Sequence, residues 1–598
     1  MRTTWTKQLS CVLATAMIAS LASGCASSST PSTVSKDSGS TSQTSASSPD
    51  GGKTYDKFLT VDMFNSQANF EGIHTGWFAK VVKDKFNMEL NLISPNVAGG
   101  GDVLFQTRSA AGDLGDIVMI GSENGRLADT VKAELMYDIT DLVAKSEHLT
   151  QYQAAIDNIK ALISSDRVYA IPSQVSSSSP LTPSEGLDLT YGPYLRWDYY
   201  KELNYPQLKT MEDLLPVLKQ MQENHPTSDS GKKVYALSLF KDWDGNMMNN
   251  AKQPACFYGY DEQYFTLLAP DGDVEYILES DSNYVRALKF FFSANQMGIL
   301  DPDSTTQNYD TLDAKYRDGA VLYSQWPWQS QPAYNSQENK NAGKGFMIAP
   351  VEDLKIFSYG CNPLGNKYVI GVGSKAEDPE RMVDFIDWLY SPEGVMLSSA
   401  QTNSSCGAEG LTWEFGSDGR PRLTDFGKKV FSGDDKVLMP EEWGGGTYKD
   451  GMSQLNFMTV STMDINPVNN LPYNHTLWDT YLEDNVTALD KDWQTQMKAK
   501  TTLDYLDQHD GYVVAAGNGY IAPQIPADVD AIRVQCKDII IAESWKMIFA
   551  KDEAEFNSLL KNMQDTVKGL GMDTVLTYEK TVTDDLTAAR KAAVEAFK

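Results

Sequence analysis

Between Phe58 and Gln174 the chain alternates short apolar runs with helical patterns, and this alternation restricts the fold more than any other feature. The run FLTVDMF, Phe58 to Phe64, reads as a strand and leads into the polar loop NSQANFEG. Trp77, Phe78, Val81, Val82 and Phe86 then recur at helical spacing, and MELNLI reads as the next strand. The turn AAGDLGD precedes a buried strand at Ile117–Ile120, the polar loop GSENG follows, and RVYAIP is a further extended run. Strands separated by helices specify an α/β lobe with a mostly parallel sheet. Ligands of such sheets sit outside the carboxyl ends of the strands, where NSQANFEG and GSENG fall.

The stretch QVSSSSPLTPSEG, Gln174 to Gly186, breaks the pattern and reads as a crossover to another lobe. Beyond it, YLRWDYYKEL and MEDLLPVLKQMQ are helical, with Pro216 at a kink or in the first turn. VYALSLF is a strand running into KDWDGNMM, and SNYVRALKFFFSANQMGILDP is a helix stopped by Gly298, with Pro302 beyond. GAVLYSQWPW reads as a strand and its outgoing loop, after which GKGFMIAPV crosses back. DPERMVDFIDWLYSPEG is a helix opened by Pro379, and AIRVQCKDIIIAESWKMIFA and AEFNSLLKNMQDTVKGLG add helices near the C-terminus. No internal repeat is visible. Roughly 545 residues lie beyond the N-terminal segment, too many for one hydrophobic core, so two lobes or more are expected.

At the N-terminus, Arg2 and Lys7 precede an apolar stretch, Leu9 to Ser23, that is too short to span a bilayer and ends in small residues before Cys25. That is the organisation of a signal peptide. Ala26 to Lys53 contains almost nothing apolar and is expected to be a flexible tether. No later segment offers 18 uninterrupted apolar residues, the length a spanning helix needs. The net charge of −29 opposes nucleic-acid binding, which requires a basic face. The five His are scattered, and HExxH, CxxC and EF-hand spacings are missing. KDWDGN places carboxylates near a Gly but lacks the distal Glu of a calcium loop, so no metal is expected. Cys256, Cys361, Cys406 and Cys536 are too widely spaced for a small disulfide framework; buried free thiols are the default, and pairing stays open.

LASGC, Leu21 to Cys25, resembles the lipobox of bacterial lipoproteins, with Ala22 where Leu is favoured; the resemblance implies that Cys25 is lipidated and begins the mature chain. GDLGDIVM, YDITDLV, RVYAIP, LRWDYYKELNY, GILDPD, DPERMVDFIDWLYSPEG and GAEGLTWEF, in that order, resemble the extracellular solute-binding proteins of ABC importers. The similarity is greatest to the large lipoprotein branch that serves complex-carbohydrate uptake in Gram-positive bacteria, and it covers nearly the whole mature body. Gly115 stands where that family more often has Pro, a change in turn chemistry. The resemblance implies an α/β, two-lobed periplasmic-binding-protein-like fold with an interlobe ligand cleft and discontinuous lobes. It also implies no chemistry on the ligand and no cofactor. Expected boundaries are a signal peptide at 1–24, the lipidated Cys and Ser/Thr/Gly tether at 25–54, the first lobe at 55–180 and the second at 181–350. Residues 351–410 are expected to return to the first lobe, and 411–598 to belong mainly to the second, with its C-terminal helices. The implied partners are an oligosaccharide, the permease subunits of an ABC transporter, and the outer face of the cytoplasmic membrane through the lipid anchor. A monomer is expected.

A carbohydrate presents apolar C–H faces and a rim of hydroxyls, so it is held by stacked aromatic rings and by planar polar groups at the rim. Twelve Trp and 29 Tyr supply rings in abundance, and position must decide among them. Trp326 and Trp328 flank Pro327 just past a strand end and resemble the Pro-Trp pair of maltodextrin-type binding proteins, whose Trp stacks on sugar. In KDWDGN, Trp243 is placed to stack while Asp242 and Asp244 accept from hydroxyls. GSENG offers Glu123 and Asn124, NSQANFEG offers Asn65, Gln67 and Asn69, and EEWGGGTYKDG sets Trp443 beside three glycines. Arg196 either donates to ligand oxygens or pairs with an acidic neighbour. Trp388 and Trp545 sit on apolar helix faces and read as core. Two other readings stay open: the same fold binding a peptide or other non-sugar solute, and an exported glycoside hydrolase. The hydrolase needs an acid and a base or nucleophile across one bond, and among 80 Asp and Glu some pair always looks suitable.

Overall fold

The computed structural model describes residues 53–98, 102–399, 405–432 and 436–598; the signal peptide, Cys25 and the tether as far as Gly52 lie outside the described residues. In the first lobe the strand–helix alternation gives parallel pairing only at the centre; the sheet is mixed rather than mostly parallel, because its later strands return antiparallel. Leu59–Asn65 lies between Met88–Ile93 and Ile117–Gly121, parallel to both. Tyr368–Val372 joins antiparallel to Ile117–Gly121, Ala170–Pro172 pairs with its other edge, and the short Gly72–Ile73 closes the opposite side of the sheet. All five residues of Ile117–Gly121 are buried, as a strand covered on both faces requires. The helix Trp77–Phe86 buries Trp77, Phe78, Val82 and Phe86 against the sheet and ends at Asn87, whose left-handed conformation stops the turn. On the same core, Asp378 caps Pro379–Leu389 by accepting from the Arg381 amide, with Pro379 at the first helical position. Trp388 is buried there, in its expected core position.

The second core gathers around a small antiparallel sheet in which Tyr194–Arg196 lies between Tyr323–Ser324 and Phe346–Ile348. The helix Asn283–Gln296 buries Tyr284, Val285, Leu288, Phe290 and Phe291 in this core. Ser282 caps its start, and Gly298, at φ +73°, follows its end in the conformation that a Cβ disfavours. Long helices at Ala527–Ile548, Glu553–Leu570 and Met572–Phe597 complete the lobe, with Trp545 in its core. Pro216 sits in the first turn of Leu214–Asn224, where its missing N–H removes no helical bond. Cys256, Cys361, Cys406 and Cys536 are buried and unpaired. Among the described residues no helix is long and apolar enough to cross a membrane.

One buried carboxyl makes the second lobe pH-sensitive. Glu579 is fully buried on the last helix, where its carboxylate accepts from the Phe265 amide at 3.1 Å. Burial nevertheless dominates and pushes its pKa up to about 8 from 4.5. A folded value above the unfolded one means that the contribution to stability is present in full below 4.5 and is lost progressively as the pH rises to about 8. Glu579→Gln should therefore gain about 3 kcal/mol relative to the native chain between about pH 5 and pH 7.5. Urea unfolding of both proteins across that range checks this; a pH-independent difference would show that Glu579 stays ionised in the fold.

Chain connectivity makes both lobes discontinuous. The chain leaves the first core after Val175 and enters the second at Leu189, returns between Phe357 and Val369, and crosses again between Trp478 and Leu489. The segment from 405 to 478 thus buries Trp413, Val430, Tyr448 and Trp478 in the first lobe, which differs from the expectation that 411–598 belong mainly to the second. Much of this segment is irregular, and its anchor is an aromatic contact, Tyr448 stacked on Trp77 at 5.4 Å, which carries no periodic signal. Where the segments cross, they are held by a serine cluster and by glycine. The buried Asp464 accepts from the hydroxyls of Ser176, Ser177 and Ser178 at 2.5, 3.0 and 2.9 Å and from the Ser177 amide at 2.6 Å. A Cβ on Gly360 would fall 1.8 Å from the Pro180 carbonyl oxygen, and one on Gly517 1.9 Å from that of Cys361. Three chain segments pass here at backbone contact, which only glycine permits.

Candidate functional site

The turn Lys241–Asn246 is built by its own carboxylates. Asp242 accepts from the Tyr309 amide at 2.9 Å, and Asp244 accepts from the Asn249 amide at 2.9 Å and from the Trp545 indole at 2.7 Å. Asp244, expected to meet ligand hydroxyls, has both oxygens engaged in holding the turn, whereas Asp242 stays exposed beside its single bond. Their effect is to present Trp243, which stacks on Tyr309 with centroids 4.7 Å apart and stands edge-on to Phe240 at 4.9 Å.

The stretch after Ser324 departs from the expected loop. Trp326 is followed by a helix, Pro327–Tyr334, because Pro327 at the first helical position presets φ. Trp326 stands at the start of this helix and Trp328 in its first turn, with rings 5.3 Å apart but unequal exposure. Trp326 is only 3% exposed, packs near Phe240, and donates its indole N–H to Gln253 at 3.2 Å, so it is core rather than contact surface. Trp328 is 41% exposed and Trp243 44%, and their rings lie 5.8 Å apart. Two adjacent large rings, each backed by further aromatics and each open to solvent, form an aromatic platform. Trp328 also lines a recess of about 580 Å³ whose far side is Tyr481, Leu482 and Glu483. The last three belong to a helix packed on the first lobe through Thr480 and Arg420, so the recess lies between the lobes.

On the first lobe, the strand Ile117–Gly121 ends in a short turn, Glu123–Gly125, with Asn124 left-handed at φ 55°. Glu123 lies 3.5 Å from the Lys367 ammonium, and its Oε2 is buried without a hydrogen-bond partner. It borders two recesses: one of about 180 Å³ shared with Gln67 and Arg126, and one of about 310 Å³ shared with Asn124, Asn362, Asn518 and Tyr520. The second also takes in Tyr264 of the other lobe. Glu123, Asn124 and Gln67 are thus brought to one end of the sheet.

Other expected contacts are consumed by the fold. Asn65 is fully buried: its amide donates to the Leu455 carbonyl at 2.8 Å while its oxygen accepts from the amides of Gln67 and Ala68. It shapes the loop rather than facing it. Asn69 is exposed on the same loop. Arg196 is 1% exposed and bidentate to Asp198, at 2.9 and 2.6 Å, which resolves its two readings in favour of the acidic partner. Trp443 is half-buried against the first core, within a turn closed by Gly444 at φ 97°. Sequence reasoning did not single out Tyr309, Tyr481, Asn518 or Tyr520. Tyr309 follows an Asn308 cap and Tyr481 lies in a short helix, contexts that give no local signal for either ring.

No protein-family model and no curated protein sequence matches the chain. Solved structures do. The substrate-binding protein FusA of an ABC transporter of S. pneumoniae, in complex with fructo-nystose, superposes with a TM-score of 0.54 at 15% identity, covering 89% of this chain and all of that one. The alginate-binding protein AlgQ2 superposes with a TM-score of 0.53 at 15% identity, covering 89% and 99%. An ABC-transporter-associated, HMO-binding solute-binding protein from Bifidobacterium longum infantis gives 0.53 at 13%, covering 89% and 100%. This chain has the two-lobed solute-binding fold. Within that fold, the aromatic platform belongs to the second lobe and the Glu123 turn to the first.

Proposed function

We propose that the protein captures an oligosaccharide in its interlobe cleft and delivers it, chemically unchanged, to the permease of an ABC transporter. The observation that carries this reading is the Trp243–Trp328 platform, two exposed rings held ready by Tyr309, Phe240 and the Lys241–Asn246 turn. Pyranose faces stack on such rings, and hydroxyls left at the rim meet the amides and carboxylate of Gln67, Glu123 and Asn124 on the other lobe. Because the rings are preorganised, little side-chain entropy remains to be lost on binding. The similar structures described above, one of them in complex with fructo-nystose, support this choice over a peptide. Cys25, lipidated, would hold the protein as a monomer at the outer face of the cytoplasmic membrane, with the Ser/Thr-rich tether giving reach.

The test is a thermal-shift screen of the purified protein against neutral oligosaccharides and mixed peptides, with the saccharides recovered and sized afterwards. A ligand at 100 times its Kd stabilises by about 2.7 kcal/mol, so a saccharide binder is visible as a raised midpoint. The expected result is a shift with at least one oligosaccharide and recovery of that sugar intact. A shift with peptides alone, or shortened sugars, would overturn the proposal.

A further inference from the structure

Where the chain first crosses between lobes and returns lies a recess of about 520 Å³, lined by parts of those two crossing segments and by Arg590 from the C-terminal helix. Arg590 is only 6% exposed. Of its five N–H groups, one donates to the Ala269 carbonyl at 3.1 Å, and Nε is buried with no partner. Among the described residues no carboxylate lies within ion-pairing distance of it. The other two arginines buried to this degree are treated differently. Arg196 is bidentate to Asp198 and lies between the rings of Tyr199 and Tyr334. Arg381 pairs with Asp378 and donates to the Lys57 carbonyl. A buried guanidinium without a direct ion-pair partner is costly to desolvate, and buried charges are ordinarily paired.

The acids nearby do not fill the role. Glu185, in the same recess, accepts from the Ser358 hydroxyl at 2.7 Å and the Tyr359 amide at 3.1 Å, and burial raises its pKa, which weakens any repulsion of an anion. Asp261 attracts the Arg590 guanidinium from beyond ion-pairing distance, but burial outweighs that pull, and its carboxylate is held by the Tyr359 hydroxyl and by the Lys252 ammonium at 3.3 Å. Ser461, Thr462 and Asn474 add hydroxyl and amide groups to the lining. The chain's net charge of −29 does not exclude an anion here, because charges farther away than about 8–10 Å are screened at physiological salt.

We propose that this recess is an oxyanion subsite in which Arg590 makes a bidentate contact to a carboxylate or sulfate. The oxyanion comes either from an acidic group on a bound saccharide or from a free small anion. In the first case the subsite deepens the oligosaccharide reading and rests on it; in the second it stands alone.

The test titrates the purified protein calorimetrically with D-glucuronate, acetate, sulfate and neutral D-glucose at fixed ionic strength. Glucuronate is expected to bind and glucose not. Binding of glucuronate alone assigns the acidic-saccharide source; equal binding of acetate or sulfate assigns the free anion. Arg590→Lys should weaken the anion Kd at least tenfold and Arg590→Met abolish binding. Arg590→Met should also unfold no earlier than the native chain in anion-free buffer, since it removes an unpaired buried charge. Absence of binding by every anion, binding that survives Arg590→Met, or an unfolding midpoint lowered by that change without loss of anion binding would each overturn the inference. A neutral oligosaccharide that binds through Trp328 while no anion binds would sink the subsite and leave the proposed function standing.

Discussion

Trp328→Ala should weaken binding of a neutral oligosaccharide about thirty-fold, the equivalent of roughly 2 kcal/mol of stacked apolar surface. The ring is 41% exposed, so its removal leaves no cavity in the core and the unfolding midpoint should hardly move. Trp243→Ala should cost a similar factor. Because the two rings are 5.8 Å apart and bear on one ligand, the double variant should fall short of the product of the singles. Trp326→Ala is the contrasting case: it empties a buried site and should cost about 3–5 kcal/mol of stability. Calorimetric titration together with urea unfolding separates these outcomes. Unchanged affinity in Trp328→Ala would show that the platform does not touch the sugar.

Asp198→Ala should destabilise the fold by about 3–5 kcal/mol, because it leaves the Arg196 guanidinium buried and unpaired. The guanidinium is clamped between Tyr199 and Tyr334, at 4.1 and 4.2 Å, so it is unable to swing out to water when its partner is lost. Asp198→Asn keeps an acceptor and should lose less. The folded fraction of either variant should bind saccharide with native affinity, whereas a weakened Kd at native stability would return Arg196 to the role of ligand donor. Unfolding in urea gives the first quantity and titration the second.

The strand–helix alternation of the first lobe was legible because strands buried on both faces and helices buried on one leave different periodicities. The exposure of Trp243 and Trp328 agrees with their polar, Gly- or Pro-containing surroundings, although VYALSLF before Trp243 forms isolated bridges rather than a strand. What was not legible is which polar side chains the fold keeps for itself. Asn65 is claimed by a carbonyl 390 residues away, Asp244 by an indole 301 residues away, and Trp326 by a glutamine 73 residues away. No local pattern reports such distant partners. The same limit hid the placement of 405–478, whose aromatic anchors contact the first lobe without regular secondary structure, and Arg590, whose helix looks like any amphipathic helix.

The way the chain shuttles between cores also constrains its birth. A polypeptide emerges N-terminus first. Early in synthesis, the first-lobe sheet must wait for Tyr368–Val372, and its core for Trp413 and Trp478. The second lobe waits longer still, since Val575 of the last helix belongs to its core. Neither half can therefore close as an independent unit behind the growing end. A nascent or truncated chain keeps unmatched strand edges and open aromatic surface until nearly the final residue is made, and premature termination should yield material for proteases rather than a working single lobe.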